Sequence, residues 1–262
     1  MSVDVTTHDE IAWVHLDHGP VNALDLELCE DISDTVAELD TSDDVSAIVL
    51  TAAGSSFSAG VDLQRILDEP TDYTDAFLDA LTRCFLTVFR TSHPTVAALN
   101  GHAIAGGCIL ACACDRIIAA DTAGRIGLTE LAVGVPFPTA ALEIIRRRTA
   151  RHIDELILHA DTYPPPQALE RGLIDEIVTA QGLTARATAA ATTLARVPSP
   201  TYELTKQQLH HDAEAAIATL TPTIDPRVRQ RWKDDETRTA INAYMVSLRR
   251  RQQPPGNRDP NH

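Results

Sequence analysis

Two glycine-rich turns, each reached from an apolar, strand-like run, set the tightest limits on how this chain can fold. Val45 to Thr51 leads toward Ser58-Ala59-Gly60-Val61-Asp62, and Thr95 to Leu99 leads into Asn100-Gly101-His102-Ala103-Ile104-Ala105-Gly106-Gly107-Cys108. Both turns then enter helix-like sequence, where free N–H groups and the positive end of the helix favour negative charge. Gly60, Gly106 and Gly107 carry no Cβ, which opens positive φ and lets a ligand oxygen approach the backbone closely. Two such turns can hold one developing oxyanion between them. A carboxylate, Glu130 in Ile126-Gly127-Leu128-Thr129-Glu130, follows downstream.

The remaining patterning fits an α/β chain. Val3 to Val5 and Ile11 to Leu16 read as a hairpin with His8-Asp9-Glu10 near its turn. Leu28, Ile32, Val36 and Leu39 recur at helical spacing and predict an amphipathic helix over Leu26 to Leu39. Phe77, Leu81, Cys84, Phe85 and Val88 mark another, Cys108 to Cys114 has the length of a short buried helix, and Arg116 to Ala120 reads as a strand. Alternating units of this kind imply a mainly parallel sheet with ligand loops at the carboxyl ends of its strands. Beyond Thr139 helical signals dominate, broken at Tyr163-Pro164-Pro165-Pro166 and Val197-Pro198-Ser199-Pro200. Gln167 to Arg171 with Gly172, Thr184 to Arg196 and Arg227 to Arg251 are expected helices, and Asp175 to Val178 a short strand. Residues 1–195 are expected to form the core, 196–251 a helical region and 252–262 a disordered tail. No internal repeat stands out.

Taken in order, these segments resemble the crotonase superfamily, the enoyl-CoA hydratase and isomerase proteins, from about Val3 to Leu248. Pro20-Val21-Asn22-Ala23-Leu24 resembles the family's opening loop, Phe57 to Leu63 its first oxyanion loop, and Asn100-Gly101 to Cys114-Asp115 its second. The resemblance implies a spiral of ββα units followed by helices that trimerise, often as dimers of trimers. It implies that the N–H groups of Val61 and Gly106 form an oxyanion hole for an acyl-CoA thioester. Hydratases of the family carry two glutamates, and this chain has Ile109 at the first place and Glu130 at the second. A further acid eight positions past Glu130, found in some members, is replaced by Pro138. A single Glu in Gly-Leu-x-Glu with an aliphatic residue after Gly-Gly-Cys most resembles the Δ3,Δ2-enoyl-CoA isomerase branch.

The chemistry supports that distinction. Isoleucine can neither hold a water nor exchange a proton, so hydration lacks half of its apparatus. Moving a double bond needs one carboxylate that removes a proton from C2 and returns it at C4. A lone Glu is ordinarily a surface residue. Ile126, Leu128, Leu131, Val133, Val135 and Phe137 surround this one in sequence, and burial among them would raise its pKa toward a proton shuttle's range. Substrate contacts are expected from Ala59, Gly60, Asp62, Gly107, Ile109 and Pro138, with the acyl pocket floor formed by 68–89 and 133–142.

A formal charge of −15 argues against nonspecific nucleic-acid or anionic-membrane binding. It also makes the phosphates of coenzyme A a problem, for which Arg65 and Lys206 are the candidate cations. Gly101 to Gly106 has phosphate-loop spacing, but Gly107 and Cys108 stand where Lys and Ser or Thr are needed. Five cysteines, an odd count, read as reduced buried thiols. They supply no metal site, the histidines show no paired metal spacing, and no Gly-x-Ser-x-Gly elbow occurs. No cofactor is expected beyond the coenzyme A of the substrate. Asp4, His8, Asp9 and Glu10 interrupt any signal-like run, and no membrane span is read, so a cytoplasmic location is expected. Three functions remain open: an isomerase using Glu130; a hydratase or other acyl-CoA enzyme in which Asp62 or another group replaces the missing acid; and a non-catalytic acyl-CoA-binding protein.

Overall fold

The computed structural model describes residues 2–252. The chain begins with strands β1 (Val3–His8) and β2 (Ile11–Leu16), paired antiparallel. Their turn places Asp9 and Glu10 at φ 50° and 62°, as a tight hairpin requires. Helix α1 (Leu26–Asp40) follows, N-capped by Asp25, whose carboxylate accepts from Leu28 N–H; Leu28, Cys29, Ile32 and Val36 form its buried stripe.

Three turns of a spiral then repeat one plan: a strand in a large sheet, a strand in a small sheet, then helix. The first turn has β3 (Ala47–Ala52), β4 (Ser56–Ser58), α2 (Leu63–Asp68) and α3 (Thr71–Arg90). The second has β5 (Thr95–Leu99), β6 (His102–Ile104) and α4 (Gly106–Cys112). The third has β7 (Arg116–Ala120), β8 (Ile126–Gly127), α5 (Glu130–Val133) and α6 (Thr139–Thr149). After α7 (Ile153–His159), β9 (Thr162–Tyr163) joins the small sheet antiparallel to β8. After α8 (Pro165–Glu170), β10 (Glu176–Val178) joins the large sheet parallel to β7. The sheets run β1-β2-β3-β5-β7-β10 and β4-β6-β8-β9. Central strands β3 and β5 are buried almost throughout, which explains their unbroken apolar runs.

Helix α9 (Leu183–Ala195) lies across β3, β5 and β7. The carboxy-terminal region differs from the expected single helix over Arg227 to Arg251. Helix α10 (Ser199–Lys233) starts much earlier, runs through Pro222 and Pro226, and stops at extended Asp234 before α11 (Asp235–Gln252) begins. Pro198 and Pro200, read as a break, sit at the α10 start, where their missing N–H groups have no intrahelical partner to lose. Gln252 closes α11, and the rest of the expected tail, 253–262, lies outside the described residues.

Candidate functional site

The small sheet gathers the site. Strands β4, β6 and β8 lie side by side and parallel, so their carboxyl ends open in one direction. The first carries Ala59-Gly60-Val61, the second Ala105-Gly106, and the third Leu128-Thr129-Glu130. Ala105 N–H donates to Gly127 carbonyl oxygen at 2.8 Å, which ties the second turn to the segment leading to Glu130.

The opening loop holds the first turn from its other side. Ala59 N–H donates to Val21 oxygen at 3.0 Å, Leu24 N–H to Gly60 oxygen at 2.8 Å, and Asp62 N–H to Leu24 oxygen at 2.9 Å. In this parallel bridge between Leu24 and Val61, Leu24 bonds the residues flanking Val61. The N–H of Val61 therefore faces away from the bridge. Among the described residues, neither Val61 nor Gly106 donates its main-chain N–H to a protein acceptor.

The three glycines act differently from the expectation that they admit ligand. A Cβ on Gly60, at φ +87°, would lie 2.8 Å from Ile104 oxygen and 2.9 Å from Ala105 Cβ. One on Gly106 would lie 2.9 Å from Leu24 Cδ1, and one on Gly107 would run into the Ser58 carbonyl. Their missing side chains let the two turns and the opening loop close on one another. Ala105 was not singled out by the sequence. It has φ 50° and ψ −123°, a region normally left to glycine, and immediately precedes the Gly106 N–H. Alanine carries no sequence signal for such a conformation.

Glu130 opens α5 and is 8% exposed. Burial pushes its carboxyl up to about 7, against the downward pull of the Glu130 and Thr129 main-chain N–H groups. Its Oε2 atom is buried with no hydrogen-bond partner among the described residues. Cys108, which closes the second turn, feels the same carboxylate. Its thiol is raised well above its ordinary range by contact with Cys112, by burial, and in part by the Glu130 charge. Ile109 is 3% exposed in the first turn of α4 and brings no polar group.

Other expected contacts have structural partners. Asp62 caps α2, its Oδ1 accepting from Arg65 N–H at 3.0 Å. Pro138 is the residue before α6, whose first residue Thr139 gives its N–H, at 3.0 Å, and its hydroxyl to Asp225 of α10. An acid does reach this end of α6, but as a cap. Arg65 binds Asp25 at 3.0 Å and chelates Glu27, with its guanidinium 5.0 Å from the centre of the Tyr73 ring. It is a brace between α2 and the start of α1 rather than a free cation. Lys206 is 6% exposed, and its ammonium donates to Asp115 Oδ2 at 2.8 Å and His93 oxygen at 3.3 Å. These partners precede β7 and β5, so Lys206 sits at the amino ends of the large-sheet strands, away from the turns. Its expected phosphate contact is withdrawn on that ground.

All five cysteines are free and buried. Among the described residues no cluster of His, Cys, Asp and Glu could hold a metal, and no helix is long and apolar enough to cross a membrane.

Comparison with known proteins bears on the same segments. The profile of a family described as Enoyl-CoA hydratase/isomerase matches residues 6–249. The chain is 30% identical over 199 residues to the "Probable enoyl-CoA hydratase echA8" of Mycobacterium bovis, covering 76% of each protein. A Mycobacterium tuberculosis protein, described as an enoyl-CoA isomerase in one solved structure and as a probable enoyl-CoA hydratase in another, shares in the first 33% identity at a TM-score of 0.78, covering 86% of this chain and 98% of that one. Human mitochondrial delta3-delta2-enoyl-CoA isomerase superposes with a TM-score of 0.89 over 97% of this chain and 100% of its own, at 23% identity, a likeness of fold alone.

Proposed function

Because the chain belongs to the enoyl-CoA hydratase/isomerase family and has its crotonase fold, we propose that it shifts the double bond of a 3-enoyl-CoA to give the conjugated 2-enoyl-CoA. The ionised Glu130 carboxylate removes a proton from C2. The electron pair of that C–H bond moves into the C1–C2 bond, and the thioester oxygen becomes the oxyanion of a dienolate. The N–H groups of Val61 and Gly106 receive that oxygen. Protonated Glu130 then returns the proton at C4, the electrons move back from oxygen, and the double bond is left between C2 and C3. Proton and charge balance, and neither a water nor a cofactor takes part in a step.

The observation that carries this reading is the state of one carboxyl. Glu130 is buried, has an unpartnered oxygen, and is poised at about 7, where it can both take and give a proton near neutrality. Ile109 is the complementary support: a buried aliphatic group stands where a second, water-handling acid is expected. Asp62 is committed to capping α2 through Oδ1. Trimeric assembly belongs to the same proposal, with Leu204 and Leu209 of α10, 58% and 64% exposed, as apolar groups for a second copy to cover.

The test is conversion of 3-enoyl-CoA thioesters of several chain lengths, followed by growth of the conjugated-thioester ultraviolet absorbance, in the native protein and in Glu130→Gln. Isomerisation that disappears in the variant is expected. Full activity in Glu130→Gln would reject the assigned base. The hydratase reading is favoured by the hydratase-named relative at 30% identity; rapid water addition to a 2-enoyl-CoA would establish it. Tight acyl-CoA binding with neither reaction would leave a binding protein.

A further inference from the structure

The carboxy-terminal helix α11 touches both halves of the site. Arg238, in its first turn, donates from Nη1 to Ile66 oxygen at 2.8 Å and from Nη2 to Leu67 oxygen at 2.5 Å. These carbonyls lie in the last turn of α2, where a short helix leaves its acceptors unsatisfied. Helix α2 is the direct continuation of the turn that carries Val61. Two residues further along α11, Ala240 meets the other half. A Cβ placed on Gly134 would lie 2.9 Å from Ala240 Cβ, so α11 rests directly on the residue that ends α5. Gly134, at φ +92°, and Val135 return their N–H groups to the Glu130 carbonyl at 2.9 and 3.0 Å. The contact thus bears on the turn that presents Glu130. Ile241, the residue after Ala240, is fully buried and belongs to the hydrophobic core.

We propose that α11 is a tie across the site, with Arg238 as a positioning residue that fixes the first oxyanion turn relative to Glu130. The proposal rests on the reading of Glu130 as the base. Neither Val61 nor Glu130 lies on a long element: α2 and α5 span Leu63–Asp68 and Glu130–Val133, too short to hold themselves in place. Within the site the two are joined indirectly, through the packing of Gly60 on Ala105 and the hydrogen bond from Ala105 N–H to Gly127 oxygen. With α11, the spacing is set from outside as well, by one guanidinium and one methyl group on the same helix. Leu131, Ala132 and Gly134 of the Glu130 turn are exposed while the Glu130 side chain is buried, so α11 bears on the backbone that holds Glu130 inside. Helix α5 packs against α7 and α11, whose titratable residues include Asp154, Glu155 and His159 on the first and Asp235, Glu236 and Arg238 on the second, and Cys108 of α4 feels the Glu130 charge. Burial and main-chain N–H groups account for the Glu130 shift, with no contribution from a charged side chain. Loosening α11 should therefore move that carboxyl in one direction, down.

The experiment perturbs one end of the tie and reads the other, in the full chain. In Arg238→Met, amide hydrogen exchange should rise at 129–135 as well as at 63–68, with β3 and β5 unchanged. In Ala240→Leu, which pushes α11 off Gly134 and leaves the guanidinium in place, exchange should rise at 63–68. Turnover of a 3-enoyl-CoA should fall about 10²-fold in Arg238→Met through kcat more than KM, since a small misplacement of reacting groups has that effect. The acid limb of its pH profile should move below that of the native protein, and Arg238→Lys, which keeps one donor, should recover part of both. Exchange confined to the perturbed end in both variants, or an acid limb that stays in place when kcat falls, would overturn the tie. If the native protein does not isomerise at all, the functional reading fails, and the two exchange measurements still decide the tie on their own.

Discussion

Two polar centres, one at the amino ends of the large-sheet strands and one at the carboxyl ends of the small-sheet strands, are built on opposite terms. At the amino ends of β5 and β7, Asp115 Oδ2 accepts from Thr95 N–H at 2.8 Å, Thr95 hydroxyl at 2.9 Å and Lys206 at 2.8 Å. At the carboxyl ends of the small sheet, Glu130 has an oxygen with no partner, and the turns after β4 and β6 carry two N–H groups without protein acceptors among the described residues. Buried polar groups are ordinarily paired, because an unpaired one forfeits its hydration without compensation. The saturated centre is what a structural ion pair looks like. The unsaturated one keeps hydrogen-bonding capacity unspent, the pattern that the proposed function uses.

The largest effect that can test this contrast is expected at Glu130, with activity and stability moving in opposite directions. Glu130→Gln should lower isomerisation by about 10⁴-fold, the upper range for a lost proton-transfer group. The folded carboxyl titrates at about 7, above its ordinary 4.5. Its contribution to stability is therefore fully present below the unfolded value and is lost as pH rises through about 7. By about pH 8 the loss is on the order of 3 kcal/mol. The Gln variant carries no such charge, so thermal unfolding should show it more stable than the native protein at about pH 8, with the gap closing below about pH 5. A variant less stable at high pH would mean that the Glu130 carboxylate is satisfied after all.

The saturated centre should give the reverse pattern. Lys206→Met leaves the largely buried Asp115 without its cation, and breaking such a pair destabilises by up to about 3–5 kcal/mol. Denaturant unfolding should register the loss. The kcat of the folded fraction should stay native, because Lys206 is remote from the turns. A large fall in kcat at full folding would erase the contrast.

Ile109→Glu sharpens it from the other side. The variant places a second carboxyl in the first turn of α4, and it should add water to a 2-enoyl-CoA about 10²-fold faster than the native protein. No gain would mean that the missing acid is one of several barriers to hydration.

How far the sequence displayed all this depended on length and on the physical cause of each feature. The long elements were visible: Leu26 to Leu39 and Thr95 to Leu99 have enough residues to show a period or an unbroken buried run. The small sheet was not, since β4, β6, β8 and β9 span two or three residues each, too few for alternation to register. The repeat of the spiral is hidden for the same reason, being a repeat of topology rather than of residues. In the candidate site, Glu130, Val61 and Gly106 were named from turn chemistry and resemblance. The ion pairs of Arg65 and Lys206 could not be read, because charge alone does not reveal whether a carboxylate such as Asp25 or Asp115 waits nearby. The start of α10 was obscured by Pro198 and Pro200, which mark a helix beginning as readily as a break.

Ala105 offers the smallest effect and a direct view of how the site is held open. At φ 50° and ψ −123° it turns the peptide that carries the Gly106 N–H, in a conformation that costs a non-glycine residue about 1–3 kcal/mol. Ala105→Gly relieves that strain but widens the unfolded ensemble by about 0.4–1 kcal/mol. The net change should be a gain of about 1 kcal/mol, seen as a higher unfolding midpoint. The same freedom lets the Gly106 N–H leave its aim when no oxyanion is present, so kcat should fall severalfold while KM changes less. The paired outcome is what separates strain kept for function from strain that is incidental. A more stable protein with undiminished kcat would show that Ala105 merely occupies the turn, and that the Gly106 N–H is aimed by the surrounding close packing of Gly60, Leu24 and Ser58 alone.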